Sequence, residues 1–95
     1  MEAYIYDAVR SVRGKGNKKG ALNGVTPTEL SRQVLVALNE RNALDTSKVE
    51  DVIFGCVAQV KDQGVNIAKS AAQESNYGDH LCGGTLNRFC GSGLE

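Results

Sequence analysis

Val52-Ile53-Phe54-Gly55-Cys56-Val57 is the stretch from which the fold can be read. It is a near-continuous apolar run of strand length, a pattern that predicts a parallel strand buried on both faces. Working outward, Thr26-Pro27-Thr28-Glu29 opens a helix: Thr26 suits the N-cap, Pro27 the first helical position, and Glu29 completes a capping box. The periodicity carries this helix to about Asn42, with Leu30, Val34, Ala37 and Leu38 on its apolar face and Leu35 and Val36 widening the stripe. Between helix and strand, Leu44 to Asp51 is a connector in which Asp45 can cap a short turn.

After the strand, Gln59 to Val65 reads as a loop. Asn66 then caps a second helix, Ile67 to about Ser75, whose inner face carries Ile67, Ala68, Ala71 and Ala72. Asn76, Tyr77 and Gly78 supply C-cap chemistry. Ala3 to Val9, rich in β-formers, predicts a further strand at the beginning, and Leu81 to Phe89, interrupted by Gly83-Gly84, one at the end. The resulting order is βαβαβ, an α/β fold with a parallel sheet, right-handed crossovers and flanking helices. In such sheets ligands bind at the carboxyl ends of the strands.

The totals allow one small domain over residues 1–95. Eleven basic and eleven acidic residues cancel, which gives no support to a nucleic-acid or anionic-membrane partner. No run approaches membrane-spanning length and nothing resembles a secretory signal. Three cysteines without paired spacing fit a reducing compartment, so the expected location is cytoplasmic or an organelle interior. Arg10 to Val25 is a Gly-rich loop in which Arg10, Arg13, Lys15, Lys18 and Lys19 meet no acid. Its glycines miss the dinucleotide fingerprint and the P-loop pattern, so it reads as a solvated loop.

The candidate chemistry lies in Asn87-Arg88-Phe89-Cys90-Gly91-Ser92-Gly93. A cysteine followed by three small residues, at the end of a strand, reads as an elbow that puts the Cys90 thiol at a helix N-terminus. There the partial positive charge of unpaired N–H groups favours the nucleophilic thiolate. A helix end contributes only about 0.3–1 kcal/mol, so a base must supply the rest. His80, the only histidine, lies at the opposite end of the strand and is a poor base. Cys56 sits in an apolar strand and reads as structural; Cys82, near a loop, can be exposed or buried, and a structural role is favoured for it too. The cysteines and His80 lack the paired spacing of a zinc site.

Five separated blocks, in order, resemble the N-terminal part of a thiolase, an acetyl-CoA C-acyltransferase. They are Asp7-Ala-Val-Arg10 with Arg13-Gly14-Lys15, Thr26-Pro27-x-Glu-Leu30, Asp51-Val-Ile-Phe-Gly55-Cys56-Val57, Gln63-Gly64-x-Asn66-Ile67-Ala68 and Asn87-Arg-Phe-Cys90-Gly-Ser-Gly93. The resemblance implies that Cys90 attacks the keto carbon of a 3-ketoacyl-CoA, that its backbone N–H helps form an oxyanion hole, and that coenzyme A is a substrate with no permanently bound cofactor. It implies acyl-CoA and CoA as partners and a homodimeric or homotetrameric enzyme. The family's later histidine, second cysteine and Asn/His have no counterpart among these residues, which reads as a partial domain ending at the start of its third helix and inactive alone. Ser11-Val12 stands where the family has Thr-Pro, and Cys82 where Pro is common; both bear on loop shape. Two alternatives share these features: a related condensing enzyme of the ketoacyl or hydroxymethylglutaryl-CoA synthase type, and a short binding or scaffold protein.

Overall fold

The computed structural model describes residues 1–95. In chain order it contains helix α1 (Pro27–Asn42), strand β1 (Ile53–Gly55), helix α2 (Ile67–Glu74) and strand β2 (Gly84–Leu86), with short 3-10 turns at Thr46–Lys48, Lys61–Gln63 and Ser92–Leu94. The two strands pair in parallel, Ile53 with Gly84, Phe54 with Thr85 and Gly55 with Leu86. The result is an α/β unit with a parallel sheet and flanking helices, as the sequence pattern predicts.

Helix α1 starts where expected, the Thr26 hydroxyl accepting the Glu29 N–H at 3.1 Å. The capping box is only half made, because the Glu29 carboxylate turns forward to Arg32 (2.7 Å) and Gln33 (2.9 Å). A charged guanidinium outcompetes a single backbone N–H for that carboxylate. A second acid serves the helix start instead: Asp62 accepts the Thr28 N–H at 3.0 Å, tying the loop after β1 to an otherwise orphaned donor. The buried edge of α1 also differs from the predicted stripe. Leu35 and Thr28 are buried, Leu30, Val34 and Leu38 are half-buried, and Ala37 is exposed. The core meets α1 along the edge centred on Leu35, since α2 approaches from that side.

Helix α2 follows its sequence closely. Ile67, Ala68, Ala71 and Ala72 are buried, the three alanines completely. The Asn66 Oδ1 accepts the Lys69 N–H at 3.2 Å. At the other end, Asn76 adopts φ 57° while its N–H donates to Gln73 and that of Tyr77 to Ala72, a Schellman arrangement. Tyr77 is then buried, and its hydroxyl donates to the Leu35 carbonyl at 2.6 Å, joining the end of α2 to α1. Burial raises the Tyr77 hydroxyl above its ordinary pKa. Leu35, Val52, the three alanines, Tyr77 and Leu81 make one core, with Val49 and Phe54 packed against it.

The strands are shorter and less covered than the sequence suggests. Val52 and Cys56 face the core, but Ile53 is 62% exposed, so the sheet is buried on one face rather than two. The last strand covers only Gly84–Leu86 of the predicted Leu81 to Phe89. Residues 3–9 form no ladder; Tyr4, Ile5 and Tyr6 are exposed and the segment lies along the C-terminal half of α1. Its one firm tether is Asp7, which accepts from Asn42 at 2.8 Å and pairs with Arg41 at 3.2 Å. β-propensity reports fitness for a pleated surface, and without a neighbouring edge it produces no strand. The basic loop is exposed at all five cations, none of which enters an ion pair.

Hydrogen bonds from Arg32 and then Gln33 hold the Glu29 carboxyl down to about 2. A folded value below the unfolded one stabilises above the unfolded value near 4.5 and is lost as pH falls towards 2. Thermal melts should therefore show Glu29→Gln less stable than the native chain at neutral pH. The two curves should converge as pH falls to about 2; parallel curves would remove Glu29 from the acid response.

Candidate functional site

Cys90 lies four residues beyond β2, at its carboxyl end, and is exposed. The delivery of β2 to this place begins with Asn66. Besides capping α2, its side-chain N–H donates to the Gly83 carbonyl at 3.0 Å, and its oxygen accepts from the Thr85 hydroxyl at 3.0 Å. Gly83 itself has φ 76°, and a Cβ there would stand 2.8 Å from the Lys69 nitrogen. Only glycine combines that backbone with that closeness to a helix. The start of β2 is thus fastened to the first turn of α2. Its pairing with β1 is continued by the Cys56 N–H, which donates to Leu86 at 2.9 Å.

Past β2 the chain turns tightly. The N–H groups of Gly91, Ser92 and Leu94 close the turn onto the carbonyls of Arg88, Phe89 and Gly91. The Cys90 N–H is not among these closing donors. Ser92, buried among exposed neighbours, accepts the Arg88 N–H at 2.8 Å through its hydroxyl. Where the start of a helix is expected after Cys90, Ser92–Leu94 form a 3-10 turn with Gly91 in front of it.

The back of the turn rests on β1. A Cβ placed on Gly55 would lie 2.4 Å from the Ser92 carbonyl carbon and 2.7 Å from the Gly93 nitrogen. Gly55 therefore marks a close approach of two backbones, the usual meaning of a glycine inside a strand. Sequence reasoning placed Gly55 in the strand without using this meaning, although the signal was present. It also missed Asn87, whose oxygen accepts the Phe89 N–H two residues on at 2.8 Å, an Asx pattern legible in principle from Asn-x-Phe. Ser92 and Asp62 carried no such signal, because their partners depend on where distant segments meet.

The other candidates stay apart from Cys90. Cys56 is buried, with its sulfur 3.3 Å from the Gln63 amide nitrogen, in a structural position. Cys82, which the sequence leaves open as exposed or buried, is exposed before β2. His80 is exposed as well, its Nε2 3.2 Å from the Val49 carbonyl on the approach to β1, at the far end of the sheet from Cys90. An accessible thiol with small neighbours can accept a group by nucleophilic attack, and the Cys90 thiol has no hydrogen-bonded side-chain base in this geometry.

The family model described as the N-terminal domain of thiolase matches residues 3–95. The chain belongs to the thiolase family. The 3-ketoacyl-CoA thiolases of Acinetobacter baylyi and Acinetobacter baumannii are each 38% identical to it over 94 residues. That of a Psychrobacter species is 37% identical over 94 residues. Each alignment covers 99% of this chain and 24% of the relative, so the chain spans about a quarter of the length of the curated relatives it matches. Within the thiolase frame, β1 and β2 are neighbouring parallel strands, and the elbow after β2 carries Cys90.

Gly55→Ala should force the Ser92–Gly93 backbone off β1 and cost about 1–3 kcal/mol in urea denaturation, as overpacking does. Gly93→Ala is the control, since a Cβ there meets nothing within 4 Å, and it should stay within about 0.5 kcal/mol. Equal effects of the two would mean that Gly55 makes no close contact of consequence.

Proposed function

We propose that this chain supplies the nucleophile of a 3-ketoacyl-CoA thiolase. The observation that carries the reading is the exposed Cys90 thiol on a closed turn at the carboxyl end of β2, within a thiolase N-terminal domain. The names of the relatives support the substrate class. The Cys90 sulfur, as thiolate, attacks the keto carbon of the substrate. The bond between that carbon and the one next to the CoA thioester breaks, and the leaving carbon takes a proton to become acetyl-CoA. The shortened acyl group remains on Cys90 as a thioester. The sulfur of free CoA then attacks the acyl carbon, and the shortened acyl-CoA leaves as the Cys90 thiolate is restored. Read backwards, the same steps condense two acyl-CoA molecules.

Two features of the turn fit this chemistry. Gly91 and Gly93 leave room for a thioester to approach the backbone. The Cys90 N–H lies outside the set that closes the turn, which supports a role for it as donor to the oxyanion of the acyl-transfer steps. Coenzyme A enters as substrate, and no resident cofactor is needed by any step. What these residues do not provide is a base: His80 is engaged with Val49, far along the sheet. The 95-residue chain by itself is therefore expected to accept an acyl group slowly, on Cys90, and to complete no cycle.

Incubation with a 3-ketoacyl-CoA followed by peptide mass spectrometry tests this. The expected product is an acyl adduct on Cys90 that free CoA removes, with Cys56 unmodified and Cys82 at background. Cys90→Ala should abolish it. An adduct shared equally by Cys82 and Cys90 would contradict the assignment.

A further inference from the structure

The residue before the proposed nucleophile adopts an unusual backbone. Phe89 has φ 51°, in the left-handed region that bulky residues avoid because Cβ crowds the carbonyl. Packing of its ring does not compensate, since Phe89 is 74% exposed. Its two backbone polar groups are held instead. The N–H donates to the Asn87 oxygen at 2.8 Å, and the carbonyl accepts from the Ser92 hydroxyl at 2.7 Å as well as from the Ser92 N–H at 3.1 Å. Both helpers are themselves anchored. Asn87 donates through its amide nitrogen to the Val57 carbonyl at 3.4 Å, just beyond β1, and Ser92 is buried against Gly55 with the Arg88 N–H on its oxygen. Strained residues persist where their surroundings over-determine them, and they gather at functional sites.

We infer that Asn87 and Ser92 are positioning residues that clamp Phe89 in the left-handed conformation and so set the direction in which the Cys90 thiol is presented. The inference rests on the assignment of Cys90 as the acyl acceptor, and neither side chain is asked to touch substrate. Fixing the backbone of Phe89 fixes the course of the next residue, which is Cys90. Displacing a reacting atom by about 1 Å costs on the order of a hundredfold in rate, so a clamp at this position matters to the reaction. The two side chains act on opposite ends of one residue, so removing either should loosen the same torsion. Glycine at position 89 adopts φ above zero at no steric cost and should make the clamp dispensable.

Alkylation by iodoacetamide from pH 6 to 9, resolved by peptide mass spectrometry, reads the clamp in the intact chain with the exposed Cys82 as internal reference. Ser92→Ala should lower the Cys90:Cys82 rate ratio at least threefold. Ser92→Thr, which keeps the hydroxyl, and the double variant Ser92→Ala/Phe89→Gly should each return it to within twofold of native. A smaller fall or a rise in Ser92→Ala overturns the inference, as does failure of either rescue. Should far-ultraviolet dichroism show Ser92→Ala unfolded, Asn87→Ala and Asn87→Ala/Phe89→Gly replace it under the same criteria. The readout uses no acyl-CoA. An acyl adduct found away from Cys90 would overturn the functional reading while leaving the clamp standing, and a ratio indifferent to Ser92 would do the reverse.

Discussion

The parallel pairing of Ile53–Gly55 with Gly84–Leu86 is the constraint on which the rest depends. A parallel pair cannot be closed by a hairpin, so the chain must cross back over the sheet, and α2 is that crossover. Its alanine face permits the helix to lie close, and Gly83 lets β2 begin against its first turn. Asn66 fastens the two, bonding both Lys69 within the helix and Gly83 at the strand. Once that register is set, the end of β2 falls beside Gly55, and the turn bearing Cys90 has a floor to rest on. The position of the thiol is therefore a consequence of strand pairing more than of anything local to the cysteine.

Helix starts and stops were legible because their causes are local. Thr26, Pro27 and Asn66 act within three residues of themselves, and the Asn76 cap within four. The alanine face of α2 was legible because periodicity alone determines it. The strands were less so. Ala3 to Val9 has the composition of a strand, but a strand exists only against a partner, and here Asp7 ties the segment to Asn42 and Arg41 of α1. Ile53 belongs to an apolar run yet stands exposed, since hydropathy says that a residue can be covered and not what covers it. The apolar stripe of α1 was displaced for a similar reason: the direction from which α2 arrives selects Leu35.

At the site, Cys90 was visible from its small neighbours, whereas the groups that place it were not. Ser92 reads as a turn residue in Gly-Ser-Gly, and its use of one hydroxyl to hold both Arg88 and Phe89 requires the folded turn. Gly55 lies 37 residues before Ser92, and their contact exists only through the sheet. Past Cys90 the chain continues into the 3-10 turn Ser92–Leu94. Family membership rests on the match of residues 3–95 to the thiolase N-terminal domain.

The turn carrying Cys90 is held by the sheet as part of one cooperative unit. Native-state hydrogen exchange measures this directly through three amides: Cys56, which donates to Leu86; Gly84, which donates to Val52; and Arg88, which donates to the Ser92 hydroxyl. Arg88 should exchange with the same opening free energy as Cys56 and Gly84, the signature of a shared unfolding unit. Exchange of Arg88 at the rate of an unstructured peptide, with Cys56 and Gly84 still protected, would contradict it.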